Sequence, residues 1–431
     1  MNAKKISPII LKGTRDFLPS EVIQRKKIMD IIQKMFEKFG YVPVETPILC
    51  PAETILGKYG EEGEKLTYNF KDAGGRGIAL PYDLTVPFAR YFAANYNNLE
   101  VPFKRYQIQR VWRAEKPQKG RLREFYQCDI DIIGSKSLIC EAEIAKIIVS
   151  TLLELGIDDF KIKINSRRLI NAILKSFGIP DSKVTPMIRI IDKKDKIGEE
   201  QMVQELSNIG VENGLEVLSR LKPMNSNKET MDKLRDSDVS ELETFMRYAS
   251  DLGVDDKWIQ FDPMMARGLD YYTGVIYEVV SENSSLGAIC AGGRYDDLCS
   301  MFCDQNFSGV GVAFGFERIM MLLKERMLVV ENKSCSNVLV TVFDESALKK
   351  SLSAYNSLVE AGINSEIYLG LDKLNKQFKY ADKKKIPFVV IQGPEEILAK
   401  TVTVKRMDTG KQKTIPDSQL VEYIKGYYEA N

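Results

Sequence analysis

Apolar residues recur at helical spacing near the start of the chain. Five of them fall on one face of the stretch 20–40, namely Ile28, Ile32, Met35, Phe36 and Phe39. Positions three and four apart lie on the same face of an α-helix, so this pattern predicts a helix. Ser20 is suited to cap its start and Gly40 to end it.

Extended segments follow this helix. In YVPVETPIL (41–49), the two prolines indicate an edge or an interface, because proline cannot donate to a central ladder. Strands are predicted to dominate from there to about residue 135, followed by a helix over 140–156 and a strand, KIKINSRR, over 161–168. Between about 169 and 256 the pattern becomes helical and strongly charged, which indicates a separate helical insertion.

Strand patterns resume after the insertion. They occur in LDYYTGVIYEVV, in AICAGGRYDDL and in GVGVAFGFERIMMLLKE, where the strand leads into a helix. After a polar joint at 331–337, strands and helices alternate, a hairpin turns over Asp408, Thr409 and Gly410, and a last helix starts at Asp417. This final part is predicted to be a compact α/β domain.

Composition sets limits on the class of protein. The 431 residues, 44% hydrophobic, are enough for two or three domains, and the formal charge of +1 requires any nucleic-acid contact to come from local patches. Seven irregularly spaced cysteines indicate reduced thiols. The start of the chain is unlike a signal peptide and no long apolar run follows, so we expect a soluble cytoplasmic protein with no membrane partner.

The chain contains no histidine. Histidine is the commonest general base and a frequent metal ligand, so catalysis must rely on carboxylates, arginines, tyrosines or the substrate itself. No metal-ligating set of side chains is predicted.

Polar residues around RAEKPQKGRLREF occupy alternate positions. The odd-numbered ones are Arg113, Glu115, Arg121, Arg123, Phe125, Gln127, Asp129 and Asp131. Two antiparallel strands joined by KPQKG would present them on a single face. Guanidinium groups there suit phosphates, the ring suits a base, and the acids suit an amine-bearing substrate. The alternative, a solvated face of a surface hairpin, does not explain the order of residue types.

Glycines mark two further segments. GVGVAFGFER (309–318) has Phe314 where the dinucleotide fingerprint requires its third glycine, and the chain has no GK[ST] phosphate loop. Close backbone approach at Gly309, Gly311 and Gly315 remains, with Arg318 either a phosphate ligand or an ordinary surface arginine. ARGLDYYTG (266–274) and AGGRYDD (291–297) are weak signals individually. A lysine stripe from Lys373 to Lys385 fits RNA contact or solvation equally well.

Together these motifs resemble one family. KGTRDFLP, LPYDLTVPFARY, RVWRAEKPQKGRLREFYQCDIDIIG, ARGLDYYTG, AGGRYD and GVGVAFGFER occur in the order typical of histidyl-tRNA synthetases. The resemblance implies an α+β fold in which a class II catalytic domain, a six-stranded antiparallel sheet with flanking helices, occupies 1–168 and 257–330. It places a helical insertion at 169–256 and an α/β anticodon-binding domain at 336–431.

The resemblance also implies roles for individual residues. ATP would be held through Arg113 at the α-phosphate, Arg121 and Arg318 at the outer phosphates, Glu115 at the adenine amino group and Phe125 at the adenine ring. The histidine pocket would comprise Asp83, Thr85 and Gln127 at the α-ammonium, Asp131 and Tyr272 at the imidazole, together with Tyr271 and Arg267. Arg267 would be a fixed cation at the α-phosphate, catalytic together with Arg113. Lys116 and Gln118 would contact the tRNA acceptor end, and Mg²⁺ would lie on the outer phosphates.

The implied activity is ATP-dependent ligation of L-histidine to tRNA(His) through a histidyl-adenylate, by a homodimer. Bacterial members often have EGT and a glutamate where this chain has Asp83-Leu84-Thr85 and Asp131. The Asp131 side chain, expected at the imidazole, is one methylene shorter than that glutamate. Two alternatives are a synthetase-like regulatory subunit of histidine biosynthesis, which would bind histidine without charging tRNA, and a non-catalytic RNA-binding protein.

Overall fold

A computed structural model describes residues 6–194, 197–268, 270–328 and 333–429, with the backbone alone at 60–62 and 428–429. Leu269 of the ARGLDYYTG block and the predicted domain ends at 1, 330 and 431 lie outside the described residues. The chain divides into two compact units, one with Ile28–Leu328 and the segment before Asp16, the other with Asp16–Lys27 and the segment after Leu328.

Helices and strands alternate in an irregular order before residue 329. The helices are α1 (Pro19–Lys38), α2 (Ala52–Ile55), α3 (Gly60–Lys65), α4 (Thr85–Asn95), α5 (Ile139–Glu154), α6 (Arg167–Ser176), α7 (Asp181–Ile191), α8 (Glu199–Asn208), α9 (Gly214–Leu221), α10 (Asn227–Lys233), α11 (Ser240–Asp251) and α12 (Phe316–Glu325). The strands are β1 (Val42–Pro43), β2 (Cys50–Pro51), β3 (Asn69–Lys71), β4 (Gly77–Ala79), β5 (Phe103–Trp112), β6 (Glu124–Ile133), β7 (Phe160–Ser166), β8 (Ile259–Phe261), β9 (Val275–Ser281), β10 (Cys290–Tyr295) and β11 (Gly309–Gly315).

The main sheet of the first unit has the order β1-β5-β6-β11-β10-β9-β7-β8. Its six central strands are antiparallel throughout, which confirms the expected class II sheet. A short parallel strand is added at each edge, β1 beside β5 and β8 beside β7. Pro43 in β1 lacks a backbone N–H, and an edge strand tolerates that loss.

Helix predictions hold with small shifts at the ends. The first helix starts at Pro19, so Ser20 lies inside its first turn, and Gly40 follows its end with φ of +79°. Six helices, α6 to α11, fill the predicted insertion. The strand prediction for KIKINSRR was wrong at its end, because the Ser166 hydroxyl accepts from the backbone N–H of Arg168 and Leu169 and thereby starts α6.

Strands cover more of the stretch up to residue 135 than helices do, as predicted, but the stretch also contains α4, which was not foreseen. Asp83 starts this helix, since its Oδ1 accepts the backbone N–H of Thr85 at 3.1 Å and of Val86 at 3.2 Å. Phe88 and Phe92, four residues apart, are fully buried on its inner face. The same carboxylate that the resemblance places in the histidine pocket therefore also caps a helix.

The second unit contains the predicted α/β alternation. Its elements are β12 (Val338–Val340), α13 (Leu348–Glu360), β13 (Ser365–Ile367), α14 (Leu374–Lys384), β14 (Phe388–Ile391), α15 (Pro394–Ala399), β15 (Thr401–Arg406), β16 (Gln412–Pro416) and α16 (Leu420–Glu429). The sheet order is β13-β12-β14-β15-β16, parallel at its start and closed by the predicted hairpin. The short α15, begun by Pro394, was not foreseen.

Candidate active site

The hairpin of β5 and β6 brings the alternating polar residues onto one face. Arg105 lies opposite Asp131, Gln107 opposite Asp129 and Gln109 opposite Gln127. Residues directly across an antiparallel pair share a face, so these six side chains line what we call the odd face. The predicted common face is therefore confirmed for the strand residues.

The connection between these strands is longer than KPQKG. Pairing ends at Trp112 with Glu124, so residues 113–123 form the loop. Arg123 leaves the ladder because its N–H donates to the carbonyl of Gly13 at 2.8 Å and its Nε donates to that of Glu115 at 3.0 Å. The KGTRDFLP segment, which contains Gly13, thus supports the arginine loop.

Arg113 lies between two aromatic rings at the start of this loop. Its guanidinium carbon is 4.2 Å from the ring centre of Tyr82 and 5.2 Å from that of Phe125, and its Nε donates to the carbonyl of Tyr82 at 3.1 Å. Glu115 faces Arg121 at 3.3 Å and Arg113 at 4.0 Å. The predicted nucleotide residues of the loop are therefore in mutual contact.

Arg318 joins these arginines from the first turn of α12. Its Nε donates to the carbonyl of Gly120 in the loop at 3.3 Å. Burial lowers the pKa of Arg318, and repulsion from Arg121 and Arg113 lowers it further. Three cations held within repulsive range form a site that an anion would stabilise.

Asp83 lies at the centre of a buried polar pocket. It is 4% exposed and accepts hydrogen bonds from the hydroxyl of Tyr59 at 2.8 Å and from that of Tyr271 at 3.1 Å. Burial raises the pKa of Asp83, although Tyr59 and Arg113 act in the opposite direction. The rings of Tyr271 and Tyr272 are 4.7 Å apart. The structure therefore brings Asp83 and the tyrosines of ARGLDYYTG together.

Gln127 and Asp131 line the same pocket from the odd face. Gln127 is buried and its Oε1 has no hydrogen-bond partner among the described residues. Asp131 already has protein partners: Tyr295 donates to its Oδ1 at 2.6 Å, and the Nη2 of Arg105 lies 2.5 Å from its Oδ2, although that oxygen has no hydrogen-bond partner among the described residues. The predicted imidazole ligand is thus already an ion-pair partner.

Small residues make the floor of this pocket. On the neighbouring strand β11, Gly311 stands opposite Asp131 and Ala313 opposite Asp129. On the next strand, β10, the residues in the same register are Gly293 and Ala291. A Cβ at Gly311 would lie 2.0 Å from Oδ1 of Asp131, and one at Gly293 would lie 2.7 Å from the carbonyl oxygen of Val275. The predicted close approach at Gly311 is confirmed, and the bare backbone leaves a trough beside the odd face.

Arg267 has no ion pair or side-chain hydrogen bond among the described residues, and its Nε is buried without a partner. Burial lowers its pKa, but Tyr272, Glu278 and Asp192 outweigh that effect and hold the pKa above its usual value. Glu278 also acts electrostatically on Arg318. Arg267 is therefore a permanent cation beside the tyrosine pocket.

Three site residues were not assigned by sequence reasoning, namely Arg105, Asp129 and Glu278. The alternation could have identified Arg105, because it continues the odd-numbered pattern one strand earlier. Asp129 was on that pattern but received no role. Glu278 on β9 is in register with Asp129 on β6, with β11 and β10 between them. No local feature of the sequence reveals this alignment.

The loop residues predicted to contact tRNA are on the surface. Lys116 and Gln118 are both exposed, and the backbone of Gln118 bonds that of Arg121 in both directions, at 3.2 and 2.9 Å. This turn, closed by Gly120 at φ +74°, presents the Gln118 side chain to solvent beside the arginines. Its amide can both donate to and accept from a base.

The described residues contain no group of three acidic or cysteine side chains able to hold a metal ion. A cavity of about 620 Å³ is lined by Arg168, Glu241 and Asp296 among others, but by none of the predicted site residues. Its charged groups pair with one another, at 3.2 Å for both partners of Arg168. The arginine loop and the polar pocket, rather than this cavity, are the candidate active site.

Comparisons with known proteins identify the family of the chain. Residues 13–319 match the family model described as histidyl-tRNA synthetase, and residues 335–427 match an anticodon binding domain. The histidine–tRNA ligase of Clostridium tetani is 39% identical over 97% of this chain and 98% of its own length, and that of Cytophaga hutchinsonii is 38% identical over 97% and 99%.

A solved structure gives the same result. The crystal structure of a histidyl-tRNA synthetase from Nostoc sp. PCC 7120 superposes with a TM-score of 0.85 at 32% identity, covering 98% of this chain and all of that one. The similarity therefore extends over both compact units.

Proposed function

The chain belongs to the histidyl-tRNA synthetase family, and from this premise we propose how its residues carry out the reaction. The activity is the ATP-dependent ligation of L-histidine to tRNA(His) through a histidyl-adenylate. The observation that carries the proposal is the guanidinium of Arg267, which forms no ion pair with a described residue and lies beside the tyrosine pocket, while Glu278 acts electrostatically on both Arg267 and Arg318.

The first step needs no protein base. A histidine carboxylate is ionised at neutral pH, so its oxygen can bond to the α-phosphorus of ATP while the bond to pyrophosphate breaks. Arg113 and Arg267 would neutralise charge on the α-phosphate, and Arg121 and Arg318 would hold the departing pyrophosphate. Phe125 would stack on the adenine ring, and Glu115 would accept a hydrogen bond from the adenine amino group. A chain without histidine can perform all of this.

The amino acid would lie in the trough beside the odd face. We place its α-ammonium at Asp83, Thr85 and Gln127, where the Oε1 of Gln127 is buried without a partner among the described residues and Asp83 supplies a carboxylate. The ring would enter between Asp131 and the tyrosine pair Tyr271 and Tyr272. Buried polar groups left unpaired by a wrong ligand permit discrimination of roughly 10⁴–10⁵ without editing.

Histidine-dependent exchange of labelled pyrophosphate into ATP tests the adenylation step. Exchange should require histidine and no tRNA. A protein that binds histidine but exchanges nothing would instead fit a regulatory subunit of histidine biosynthesis. The anticodon-binding match at 335–427 and the full-length similarity to ligases support charging over that alternative.

Magnesium is proposed to arrive with the nucleotide. Among the described residues no cluster of three metal-binding side chains is present, so the fit is to an ion held by phosphate oxygens and water. Mg²⁺ dehydrates reluctantly and is commonly bound through substrate phosphates in this way. When bound, it would neutralise charge on the outer phosphates, beside Arg121 and Arg318.

Lys116 and Gln118 are proposed to contact the acceptor end of tRNA(His). Gln118→Ala should lower the rate of charging by about tenfold, since one good side-chain contact to a base contributes ~1–3 kcal/mol. Pyrophosphate exchange, which needs no tRNA, should change by less than about twofold. Lys119→Ala, in the same exposed turn, is the control. Equal losses in exchange and charging would contradict the assignment.

The homodimer is also a proposal, supported by exposed apolar residues in the YVPVETPIL segment (41–49). Val42 is 46%, Ile48 44% and Leu49 62% exposed. Leu49→Asp should raise the dimer dissociation constant at least about tenfold, because an interface core excludes an unpaired charge. Sedimentation equilibrium would measure it, with Leu398→Asp in the second unit as the control. An unchanged constant in Leu49→Asp would place the interface elsewhere.

We further propose a cytoplasmic location and the domain boundaries 1–168, 169–256, 257–330 and 336–431. All seven cysteines are free thiols, which supports a reducing compartment. None of the helices in the described ranges is long and apolar enough to cross a membrane.

A further inference from the structure

The segment that carries Arg267 connects β8 to β9 over residues 262–274. Its backbone carbonyl groups are held by side chains from the end of β7. Asn165 is fully buried, and its Nδ2 donates to the carbonyls of Pro263 and Met265, both at 2.9 Å. These two bonds fix the backbone on the N-terminal side of Arg267.

Arg167 holds the same segment at two further points. Its Nη2 donates to the backbone carbonyl of Arg267 at 2.9 Å, and its own backbone N–H donates to the carbonyl of Gly274, also at 2.9 Å. The two acceptors lie near the start and at the end of the ARGLDYYTG block. One residue therefore clasps both ends of the block, with its side chain on Arg267 and its backbone on Gly274.

The local structure fixes the place of Arg167. It is the first residue of α6, and the Ser166 hydroxyl accepts the next two backbone N–H groups of that helix. Arg167 is only 6% exposed. Burial lowers the pKa of Arg167, with Asp270 and Tyr272 opposing and Arg267 adding to the shift. A guanidinium stays charged in proteins, so the bond to the Arg267 carbonyl has a charged donor.

The tyrosine end of the block has anchors of its own. The hydroxyl of Tyr271 donates to Asp83 at 3.1 Å, and the backbone N–H two residues later donates to the carbonyl of Arg294 at 2.8 Å. Loss of the Arg167 side chain would leave both of these bonds in place. It would release the carbonyl of Arg267, and the position of that residue would change more than the position of the tyrosines.

We propose that Arg167 is a positioning residue for adenylation, because its side chain holds the backbone of Arg267 and so keeps the Arg267 guanidinium at the α-phosphate of ATP. This inference rests on the proposed function. A catalytic group misplaced by about 1 Å can lose ~10²-fold in rate. A charged donor forms a hydrogen bond roughly twice as strong as a neutral one, which suits an arginine to this task.

Arg167→Met removes the donor and keeps an unbranched side chain. We expect single-turnover adenylation to slow at least about tenfold, with the KM for histidine and the KM for ATP in pyrophosphate exchange each changed less than about threefold. Arg167→Lys should recover part of the rate, because an ammonium can donate to the same carbonyl. The matched control is Arg168→Met at the next position, where the side chain is 62% exposed and the rate should stay at the wild-type value.

A double variant separates positioning from a general loss of structure. Arg267→Ala removes the group through which Arg167 is proposed to act, so adding Arg167→Met to it should slow adenylation further by less than about twofold. If the methionine variant does not fold, Arg167→Lys replaces it in the same comparison.

Three results would overturn the inference: a wild-type adenylation rate in Arg167→Met, losses that multiply in the double variant, or a KM for histidine that rises as much as the rate falls. Each would leave the proposed function intact, provided that the wild-type protein exchanges pyrophosphate in the presence of histidine. Absence of that exchange in the wild type would instead defeat the proposed function itself.

Discussion

Arg267→Ala is expected to lower the rate of histidyl-adenylate formation by ~10²–10³-fold, the loss seen when one preorganised donor to a developing charge is removed. In the structure Arg267 forms no direct ion pair with a described residue, yet Tyr272 and Glu278 keep its pKa above the usual value. The guanidinium is thus charged and in place before ATP binds, and little reorganisation is needed during the reaction.

The measurement is single-turnover adenylation with separate determination of ATP binding. Affinity for ATP should change little, because Arg113, Arg121 and Arg318 remain. Arg267→Lys should recover part of the rate, since it keeps the charge but loses the planar fork. Arg247→Ala, at an exposed position of α11, is the control. Near-normal adenylation by Arg267→Ala would exclude the role.

Arg294→Met is expected to lower the free energy of unfolding of the first unit by ~3–5 kcal/mol, because it leaves a buried charge without its partner. Arg294 is 2% exposed, and its Nε and Nη2 lie 2.5 and 2.6 Å from the two oxygens of Glu141, which is completely buried. It also donates to the carbonyls of Ser135 and Ser137 at 2.9 and 3.2 Å. The arginine of AGGRYDD is therefore a structural residue that joins β10 to α5.

Urea unfolding followed by tryptophan fluorescence would measure this loss, because both tryptophans of the chain, Trp112 and Trp258, belong to the first unit. Arg168→Ala is the matched control. Its side chain is 62% exposed and its ion pairs with Glu241 and Asp296 are 3.2 Å long, so we expect a loss of about 1 kcal/mol or less. Similar losses in both variants would show that the buried ion pair of Arg294 contributes no more to the free energy of unfolding than the exposed ion pairs of Arg168.

Much of the fold was predictable because its signals are local. The spacing of Ile32 and Phe36 predicts α1, and the alternation from Phe125 to Asp131 predicts a strand with one polar face. The failures were also local in cause. Asp83 and Ser166 start helices inside segments whose sequence pattern is typical of strands, because their side-chain oxygens accept hydrogen bonds from backbone N–H groups of the following turn. Strand and helix propensity cannot register such a cap.

The sequence by itself determined which residue types share a face, since alternate side chains of a strand point the same way whatever the strand packs against. It also determined that no protein histidine could act, and its ordered motifs identified the family. These inferences need only the neighbours of each residue along the chain.

Only the tertiary structure decided which of those residues are free to meet a ligand. Asp129 and Asp131 are equivalent in the alternation, but Tyr295, 164 positions from Asp131, donates to Oδ1 of Asp131, whereas Oδ1 of Asp129 has no partner among the described residues. Likewise Arg294 forms an ion pair with Glu141, 153 positions away, whereas Arg267 forms no ion pair with any described residue. Availability depends on burial and on partners brought from distant parts of the chain, and a one-dimensional pattern contains neither.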